Sequence, residues 1–126
     1  STKLLPVDTV LMAMYGVTAG EVGYLNIPAT TNQAICGMIC NNKIEAAYLY
    51  FALIQNQKII RQMSNGGAQN NLSKAFIERM FIVVPKEGVL QKLKIDVVLK
   101  HFILNSKEIK CLNKSKQLIV SKISKR

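Results

Sequence analysis

Three cysteines and one histidine are the residues of this chain that could bind a metal ion or act as a nucleophile and its base. Cys36 and Cys40 are four positions apart, but apolar residues surround them and no second cysteine pair follows. A structural zinc site needs about four ligands, and His101 lies far away in a basic stretch that is predicted to be helical. An odd number of cysteines also argues against a disulfide framework. We therefore predict buried, apolar cysteines and no metal site.

Acid–base catalysis requires paired carboxylates or an activated histidine, and the sequence offers neither. No close pair of Asp and Glu residues could divide the two roles, and no third group accompanies the remote Cys36 and His101. Gly16, Gly20 and Gly23 do not form a phosphate loop, because no Gly-Lys-Ser/Thr sequence follows them and no helix is predicted to begin there. We expect these glycines to form tight turns and the chain to be non-catalytic.

Positive charge is concentrated towards the C-terminal end of the sequence. The chain has 17 Lys and Arg against 7 Asp and Glu, and residues 91–126 hold ten of the bases but only two of the acids. Such a segment suits a polyanion, because phosphates attract Lys and Arg while Asn and Gln can bind base edges. Alternatively, the lysines form the solvated face of a coiled coil. An anionic membrane is less favoured, because the segment has no Trp and its apolar residues recur every 3.5 positions.

The elements that would position these residues follow from hydrophobic period and capping. Apolar residues make up 49% of the chain and only 19% are charged, so we expect a folded α+β protein without an export signal or a membrane-spanning helix. Asn42 followed by Glu45 predicts a helix over 44–63, and Ser73 predicts a short helix that ends near Arg79. Short runs of apolar, alternating or β-branched residues predict strands at 9–15, 21–25, 33–40 and 80–84.

A different spacing begins after Gly88. Nine positions are separated alternately by three and four residues, and seven of them are apolar, which predicts the seam of a coiled coil. These seam residues are Ile95, Val98, Phe102, Asn105, Ile109, Leu112, Lys116, Ile119 and Ile123. A helix over 89–126 would be roughly 57 Å long and cannot bury this seam alone. We therefore divide the chain into a β-rich head, residues 1–87, and a long coiled-coil helix, residues 88–126, that needs a second helix from an identical or a different chain.

Five motifs follow one another along the chain. The first is a glycine-containing hairpin at 14–23, and an Asn-Gln strand at 29–35 and a Tyr-Leu-Tyr helix at 48–50 follow it. The fourth is a Gly-polar-Gln loop at 66–73, which leads through a short helix to a closing strand at 82–85. The fifth is the glutamine, Gln91, that begins the long helix. This order resembles the target recognition domain of the DNA specificity (S) subunit of type I restriction–modification systems. The resemblance spans residues 7–126 and covers the later part of one such domain with its conserved helix.

The resemblance implies a module that recognises DNA within a larger complex. The head would read one half of a bipartite target in double-stranded DNA, and the helix would pair with a second specificity unit or an identical chain to set the half-site spacing. The helix would also dock the methyltransferase (modification) subunit and, indirectly, the restriction subunit. S-adenosylmethionine would be the cofactor of that methyltransferase, so we expect no cofactor in this chain. We also expect a cytoplasmic location and no contact with membranes.

The resemblance also implies DNA contacts from the polar loops of the head. The candidates are Tyr15, Thr18, Asn32, Gln33, Gln69, Asn70, Asn71 and Lys74. For Asn32 and Gln33, internal hydrogen bonds that hold the fold are at least as good an explanation. A non-catalytic protein–protein assembly module, which uses the coiled coil without reading DNA, is the alternative function. The salt dependence of binding distinguishes the two functions. Affinity that depends on phosphate contacts falls steeply with ionic strength, whereas assembly through a buried apolar seam does not.

Overall fold

Short antiparallel strands, one packed helix and a long C-terminal helix make up the computed structural model, which describes residues 3–66, 70–86 and 88–124. This architecture confirms the predicted α+β class. The strands are β1 (Leu4–Leu5), β2 (Val10–Ala13), β3 (Val22–Tyr24), β4 (Ala29–Thr30) and β5 (Ile35–Met38). The helices are α1 (Lys43–Ser64), α2 (Lys74–Glu78), α3 (Val89–Leu93) and α4 (Ile95–Ser124).

The strands form two small sheets. In the three-stranded sheet β2 lies between β3 and β5, so that Val10 pairs with Tyr24 on one side and with Met38 on the other. The first three predicted strands are confirmed as β2, β3 and β5, with shorter ends. The second sheet pairs β1 with β4. These two-residue strands were not predicted, because two residues are too few to establish an alternating pattern.

Gly37 allows the N-terminal strand to cross close to β5. A Cβ atom on Gly37 would lie 2.7 Å from Cδ1 of Leu5, a separation that side-chain carbons do not tolerate. Leu5 is buried, so β1 covers part of the sheet that would otherwise face solvent. A side chain at position 37 would therefore force the Leu5 side chain out of its present position.

The hydrophobic core lies between the three-stranded sheet and α1. Val10 and Met12 of β2 are fully buried, and Leu53 and Ile60 of α1 pack in the same cluster. The spacing of seven between the two α1 residues places them on one side of the helix, two turns apart. Burying side chains of this size contributes about 1.5–3 kcal/mol each, so this cluster supplies much of the driving force for folding.

Both predicted helix starts are confirmed. The Asn42 Oδ1 atom accepts hydrogen bonds from the backbone N–H groups of Ile44 and Glu45, at 3.0 and 2.9 Å. The Ser73 Oγ atom accepts one from the N–H of Phe76 at 3.0 Å. The capping box at α1 is shifted by one residue, because the Glu45 carboxylate accepts hydrogen bonds from the backbone and side chain of Asn41 and not from Asn42.

The prediction of a strand at 80–84 is wrong. Among the described residues this segment pairs with no strand, although its alternation is real. Met80 and Ile82 pack against the core, whereas the side chains of Phe81 and Val83 are exposed. The hydroxyl group of Tyr48 donates a hydrogen bond to the Val83 carbonyl oxygen. The alternation therefore comes from packing one side of an extended segment on the core, without a neighbouring strand.

The prediction of one continuous helix over 89–126 is also wrong, because Lys94 separates α3 from α4. Lys94 has φ 48° and ψ 46°, the left-handed conformation that non-glycine residues rarely adopt. The break lets Leu90 of α3 and Leu99 of α4 both become buried in the head. No glycine or proline marks the position, so the sequence contains no local sign of it. Within the described residues, no helix has the length and hydrophobicity to cross a bilayer.

Candidate nucleic-acid interface

Two loops of the head meet at the residue that follows β2. The N–H of Met14 donates a hydrogen bond to the carbonyl oxygen of Ala34 at 2.8 Å. The Met14 carbonyl oxygen accepts one from the N–H of Leu72 at 2.7 Å. The loop before β5 and the loop before α2 are therefore attached to the backbone of the same residue, one on its N–H and one on its carbonyl.

A β-bridge extends this attachment by one residue. Tyr15 and Asn71 form an isolated antiparallel bridge, and the N–H of Gly16 donates to the carbonyl oxygen of Asn70 at 2.9 Å. The side chains of Tyr15, Asn70 and Asn71 are exposed. Backbone hydrogen bonds hold these residues in place, so their side chains are available to contact another molecule.

Seven of the eight candidate contact residues therefore lie at one end of the three-stranded sheet, six in three adjoining loops and Lys74 in the first turn of α2. We call this set the loop cluster: Tyr15, Thr18, Asn32, Gln33, Asn70, Asn71 and Lys74. All seven residues are exposed. The eighth candidate, Gln69, lies outside the described residues.

The turn that joins β2 to β3 is held by two polar residues of α1. Gln57 donates from Nε2 to the carbonyl oxygen of Gly20 at 3.1 Å, and the Arg61 guanidinium pairs with the Glu21 carboxylate at 3.0 Å. Gly20 has φ +84°, and a Cβ there would lie 2.9 Å from Cγ of Arg61. The close approach and the backbone angle both require glycine at this position. The turn tip carries Val17, whose side chain is 89% exposed.

The two amide side chains of the loop before β5 have different surroundings. The Oδ1 atom of Asn32 accepts a hydrogen bond from the Ala34 N–H at 3.0 Å, which closes a local turn. This internal bond was one of the two explanations that the sequence left open for Asn32, and it leaves the NH₂ group free to face a ligand. The Gln33 side chain is exposed beside it.

Lys74 supplies positive charge to the loop cluster. It lies three residues after Asn71, in the first turn of α2, and its Nζ atom is 3.7 Å from the Glu78 carboxylate. An exposed ion pair of this kind is worth at most about 1 kcal/mol, so Lys74 can exchange Glu78 for a phosphate. The same lysine acts on Cys36: burial raises the pKa of that thiol, and the Lys74 charge partly opposes the rise.

The cysteines do not converge on a site. Cys36 and Cys40 are half-buried, less than predicted, and burial raises the pKa of both thiols. Cys111 is exposed on α4. Over the described ranges, no three His, Cys, Asp or Glu side chains lie close enough together to hold a metal ion.

All nine seam residues lie on α4. Ile95 is half-buried, and the Phe102 ring lies 6.5 Å from that of Tyr50 and 6.1 Å from that of Phe51. Eight of the nine, Phe102 included, are exposed, so the head covers only the beginning of the seam. Pairing of this surface with a second helix stays a prediction.

Sequence reasoning missed the residues that position the hairpin turn. Gln57 and Arg61 lie in a helix whose prediction uses its cap and its apolar residues. Val17 lies in a turn whose prediction uses only the glycines. A detectable sign was present: an arginine and a glutamine four positions apart on one side of an apolar helix. Val17, an exposed apolar residue at a turn tip, gave no such sign.

One comparison with known proteins bears on the loop cluster and α4 together. A family model described as the type I restriction modification DNA specificity domain matches residues 1–118. The match includes the whole of the described head and most of α4. It therefore covers both surfaces that the structure leaves exposed.

Proposed function

We propose that this chain, which belongs to the type I restriction modification DNA specificity domain family, reads one half of a bipartite DNA target with its loop cluster. Membership of the family establishes the general role, which is DNA recognition in a type I restriction–modification system. The choice of the loop cluster, the half-site, the coiled coil and the methyltransferase contact are our proposal. In it, the chain is a non-catalytic component and the methyltransferase subunit carries S-adenosylmethionine.

The attachment of two loops to Met14 is the observation that carries this proposal. It brings together side chains that are up to 59 positions apart in sequence, from Tyr15 to Lys74. Because the bonds are made by the backbone, the exposed side chains can vary without loss of the scaffold. A surface that reads DNA needs side chains at fixed positions with their polar groups directed outward.

The chemistry of the loop cluster matches the parts of a DNA duplex. Gln33, Asn70 and Asn71 carry amides, which pair well with adenine in the major groove. Val17 offers a methyl surface of the type that contacts thymine. Lys74 provides charge for a backbone phosphate, which adds affinity without sequence preference. The head therefore has groups for both base contacts and backbone contacts.

The exposed part of α4 supports the assembly half of the proposal. Eight of the nine seam residues are exposed, and paired helices in a coiled coil bury such positions. A rigid helix of 30 residues is roughly 45 Å long, which is sufficient to hold two heads at a fixed separation. We propose that this pairing sets the distance between two half-sites and presents the helices to the methyltransferase subunit.

Selection from a pool of randomised duplexes tests the DNA half of the proposal. We expect the chain, together with its methyltransferase subunit, to enrich one sequence. Gln33→Ala should relax the preference at one position by about 1–3 kcal/mol, because a bidentate base contact is lost. Gln55→Ala, the same change at an exposed residue of α1, is the matched control and should leave the enriched sequence unchanged. Recovery of random sequences without a co-purifying methyltransferase would contradict the proposal.

The exposed seam also favours the second candidate, an assembly module that does not read DNA. Assembly through an apolar seam is nearly independent of salt, whereas DNA affinity falls steeply between about 50 and 200 mM salt. Measuring both quantities over this range separates the two functions. If assembly persists and no salt-sensitive DNA binding is found, the assembly module is the correct function.

A further inference from the structure

A cavity of about 400 Å³ lies between the head and the first half of α4. The head lines it with Tyr24, the last residue of β3, and with nearby polar side chains, and α4 lines it with residues between 96 and 107. Sites for small molecules commonly have volumes of about 300–1,000 Å³, so the cavity is large enough to hold one. Its described lining contains no seam residue.

The cavity is at the far end of the three-stranded sheet from the loop cluster. Tyr24 pairs with Val10 at the beginning of β2, whereas Tyr15 and the other residues of the loop cluster lie beyond the end of that strand. A molecule in the cavity therefore does not occupy the surface that we propose for DNA.

The α4 side of the cavity is apolar between two lysines. Ile103 is half-buried and Leu104 is exposed, and both line the cavity. Lys100 lies four residues before Leu104 and Lys107 three residues after it, the spacings at which side chains of a helix are neighbours. An apolar surface with a positive charge at each end suits a molecule that is partly apolar and partly anionic.

These two lysines keep their charge free for a ligand. Asp96 lies one turn before Lys100, but its carboxylate is 3.3 Å from Nζ of Lys43. Across the described residues, the ion pairs are those of Lys43, Arg61 and Lys74, so neither Lys100 nor Lys107 has an acidic partner. Lys107 is about 16 Å along the helix from Asp96, which places the outer end of the cavity away from that acid.

The head side of the cavity is held in a fixed arrangement. Asp8 has φ 61°, in the left-handed region that non-glycine residues rarely adopt, and its N–H donates a hydrogen bond to the Leu25 carbonyl oxygen at 2.9 Å. The Tyr24 hydroxyl donates to the Asp8 carboxylate at 2.8 Å. Burial, followed by that hydrogen bond, raises the pKa of Tyr24 well above its ordinary value, so the hydroxyl keeps its proton. Strained backbone of this kind occurs preferentially at ligand sites.

Other occupants match these features less well. A metal cation is repelled by three lysines, and the two acids of the wall already have partners. A bare inorganic ion would leave Ile103 and Leu104 uncovered. Duplex DNA carries its phosphates on a convex surface and has no apolar group that reaches the floor of a concave site.

We propose that this cavity binds a small phosphate monoester with an apolar body, such as a single ring. The phosphate lies between Lys100 and Lys107, and the body lies on Ile103 and Leu104. A phosphate monoester carries close to two negative charges at neutral pH, which matches the two lysines without acidic partners. This site is separate from DNA reading and from pairing of the seam.

Three small molecules test the two halves of the site. Phenyl phosphate has the charge and the ring, inorganic phosphate has only the charge, and benzyl alcohol has only the ring. By isothermal titration calorimetry with the full chain, we expect phenyl phosphate to bind about tenfold more tightly than either of the others. Equal affinity for inorganic phosphate would show a general attraction to lysine, and it would overturn the proposal. Absence of phenyl phosphate binding would overturn it as well.

α4 offers matched controls that locate the site. Lys107→Gln should weaken phenyl phosphate binding about fivefold, because an ion pair is lost, whereas Lys114→Gln, seven residues further along the same side, should leave it unchanged. Leu104→Ala should weaken it about threefold through loss of apolar contact, and Leu118→Ala should have no effect. All four side chains are exposed, so the variants should keep the circular dichroism spectrum of the parent chain. Equal losses within either pair would exclude the cavity as the site.

Nuclear magnetic resonance distinguishes the cavity from the DNA surface. Phenyl phosphate should shift the backbone amide signals of Asp8, Asn26 and Lys107 and leave those of Asn70 and Asn71 in place. Shifts confined to the latter two would place the anion in the loop cluster and overturn the proposal. If random duplex DNA shifts the cavity signals and phenyl phosphate does not, the cavity contacts nucleic acid and the proposal fails. Loss of DNA reading with retained phenyl phosphate binding contradicts only the proposed function.

Discussion

The head and the outer half of α4 both carry periodic apolar residues, but they differ in whether those side chains are buried within the chain. In the head, Val10 and Met12 are fully buried, and α1 and α2 both begin with a side-chain cap. In α4, Leu99 is 2% exposed, while Leu112, thirteen residues later, is 68% exposed. No residue between 100 and 124 is buried. The same residue type is therefore buried in the core at one position of α4 and exposed at the other.

This difference shows where the stability of each region originates. A helix in water gains little from propensity alone and depends on packing of an apolar face. The head supplies that packing for α1 and for the first turns of α4. For the outer half of α4, we propose that the packing comes from another molecule. Substitutions in the two regions should therefore have different consequences.

Ile109→Asp should abolish assembly and leave the head folded. A charge in a dry seam costs several kcal/mol, since it would lose its hydration without gaining a partner. Size-exclusion chromatography with light scattering measures the assembly state, and circular dichroism with a thermal scan reports on the head. Ser121→Asp is the matched control, because it adds the same charge on the side of α4 opposite the seam. An unchanged assembly state in Ile109→Asp would remove the contrast between the regions.

Leu99→Ala and Leu112→Ala compare the same change at two places on one helix. With Ile109→Asp already present, so that the chain is a monomer, Leu99→Ala should lower the free energy of unfolding by about 2–4 kcal/mol through loss of a buried side chain. Leu112→Ala should change it by less than about 1 kcal/mol, because that side chain is exposed and alanine favours helix. Urea unfolding followed by circular dichroism gives both values. Similar losses would show that the outer half is packed in the monomer.

Lys74→Gln and Lys100→Gln compare the two regions as DNA contacts. Removal of a phosphate contact should reduce the slope of log affinity against log salt by about 0.9. We expect that reduction for Lys74→Gln, which lies in the loop cluster, and none for Lys100→Gln on α4. Filter binding or anisotropy at four salt concentrations provides the slopes. A reduced slope for Lys100→Gln would mean that α4 also contacts the DNA backbone.

The alkylation rates of the three cysteine thiols should differ least between the two regions. Burial raises the pKa of Cys36 and Cys40, so at a given pH a smaller fraction of each is thiolate than at the ordinary cysteine pKa. Their alkylation rates should therefore keep rising at pH values above that ordinary pKa. At neutral pH, exposed Cys111 should react first. Mass spectrometry after timed alkylation measures the three rates, and a head thiol as fast as Cys111 would show that the head opens readily.

Features set by neighbours in sequence were predictable. Asn42 and Ser73 cap helices because the side-chain oxygen of such a residue can reach the free backbone N–H groups two or three residues later. This contact does not depend on the rest of the fold. The hairpin with its glycines and the α+β class follow from equally local patterns. The order of short motifs was sufficient to indicate the family, which the match over residues 1–118 confirms.

Features set by distant neighbours were not predictable. Residues 80–84 have a strand pattern, but only the position of the sheet decides whether a pairing edge is available to them. Lys94 adopts a left-handed conformation because burial of both Leu90 and Leu99 outweighs the local cost, about 1–2 kcal/mol for such a residue. The four-residue spacing of Gln57 and Arg61 marks a polar pair on α1, but it does not identify the hairpin turn, some 40 positions earlier, that the pair contacts.

The two hydrogen bonds of Met14 have a consequence for protein engineering. Because the loops before β5 and before α2 are attached through main-chain groups, we expect exchanges of their exposed side chains to retain the spacing between the loops, which grafting a new specificity onto the proposed DNA surface would need. Loop insertions, by contrast, would have to preserve the carbonyl of Ala34 and the N–H of Leu72 in their present places. Libraries built on this scaffold should therefore diversify residue identity and keep loop length constant.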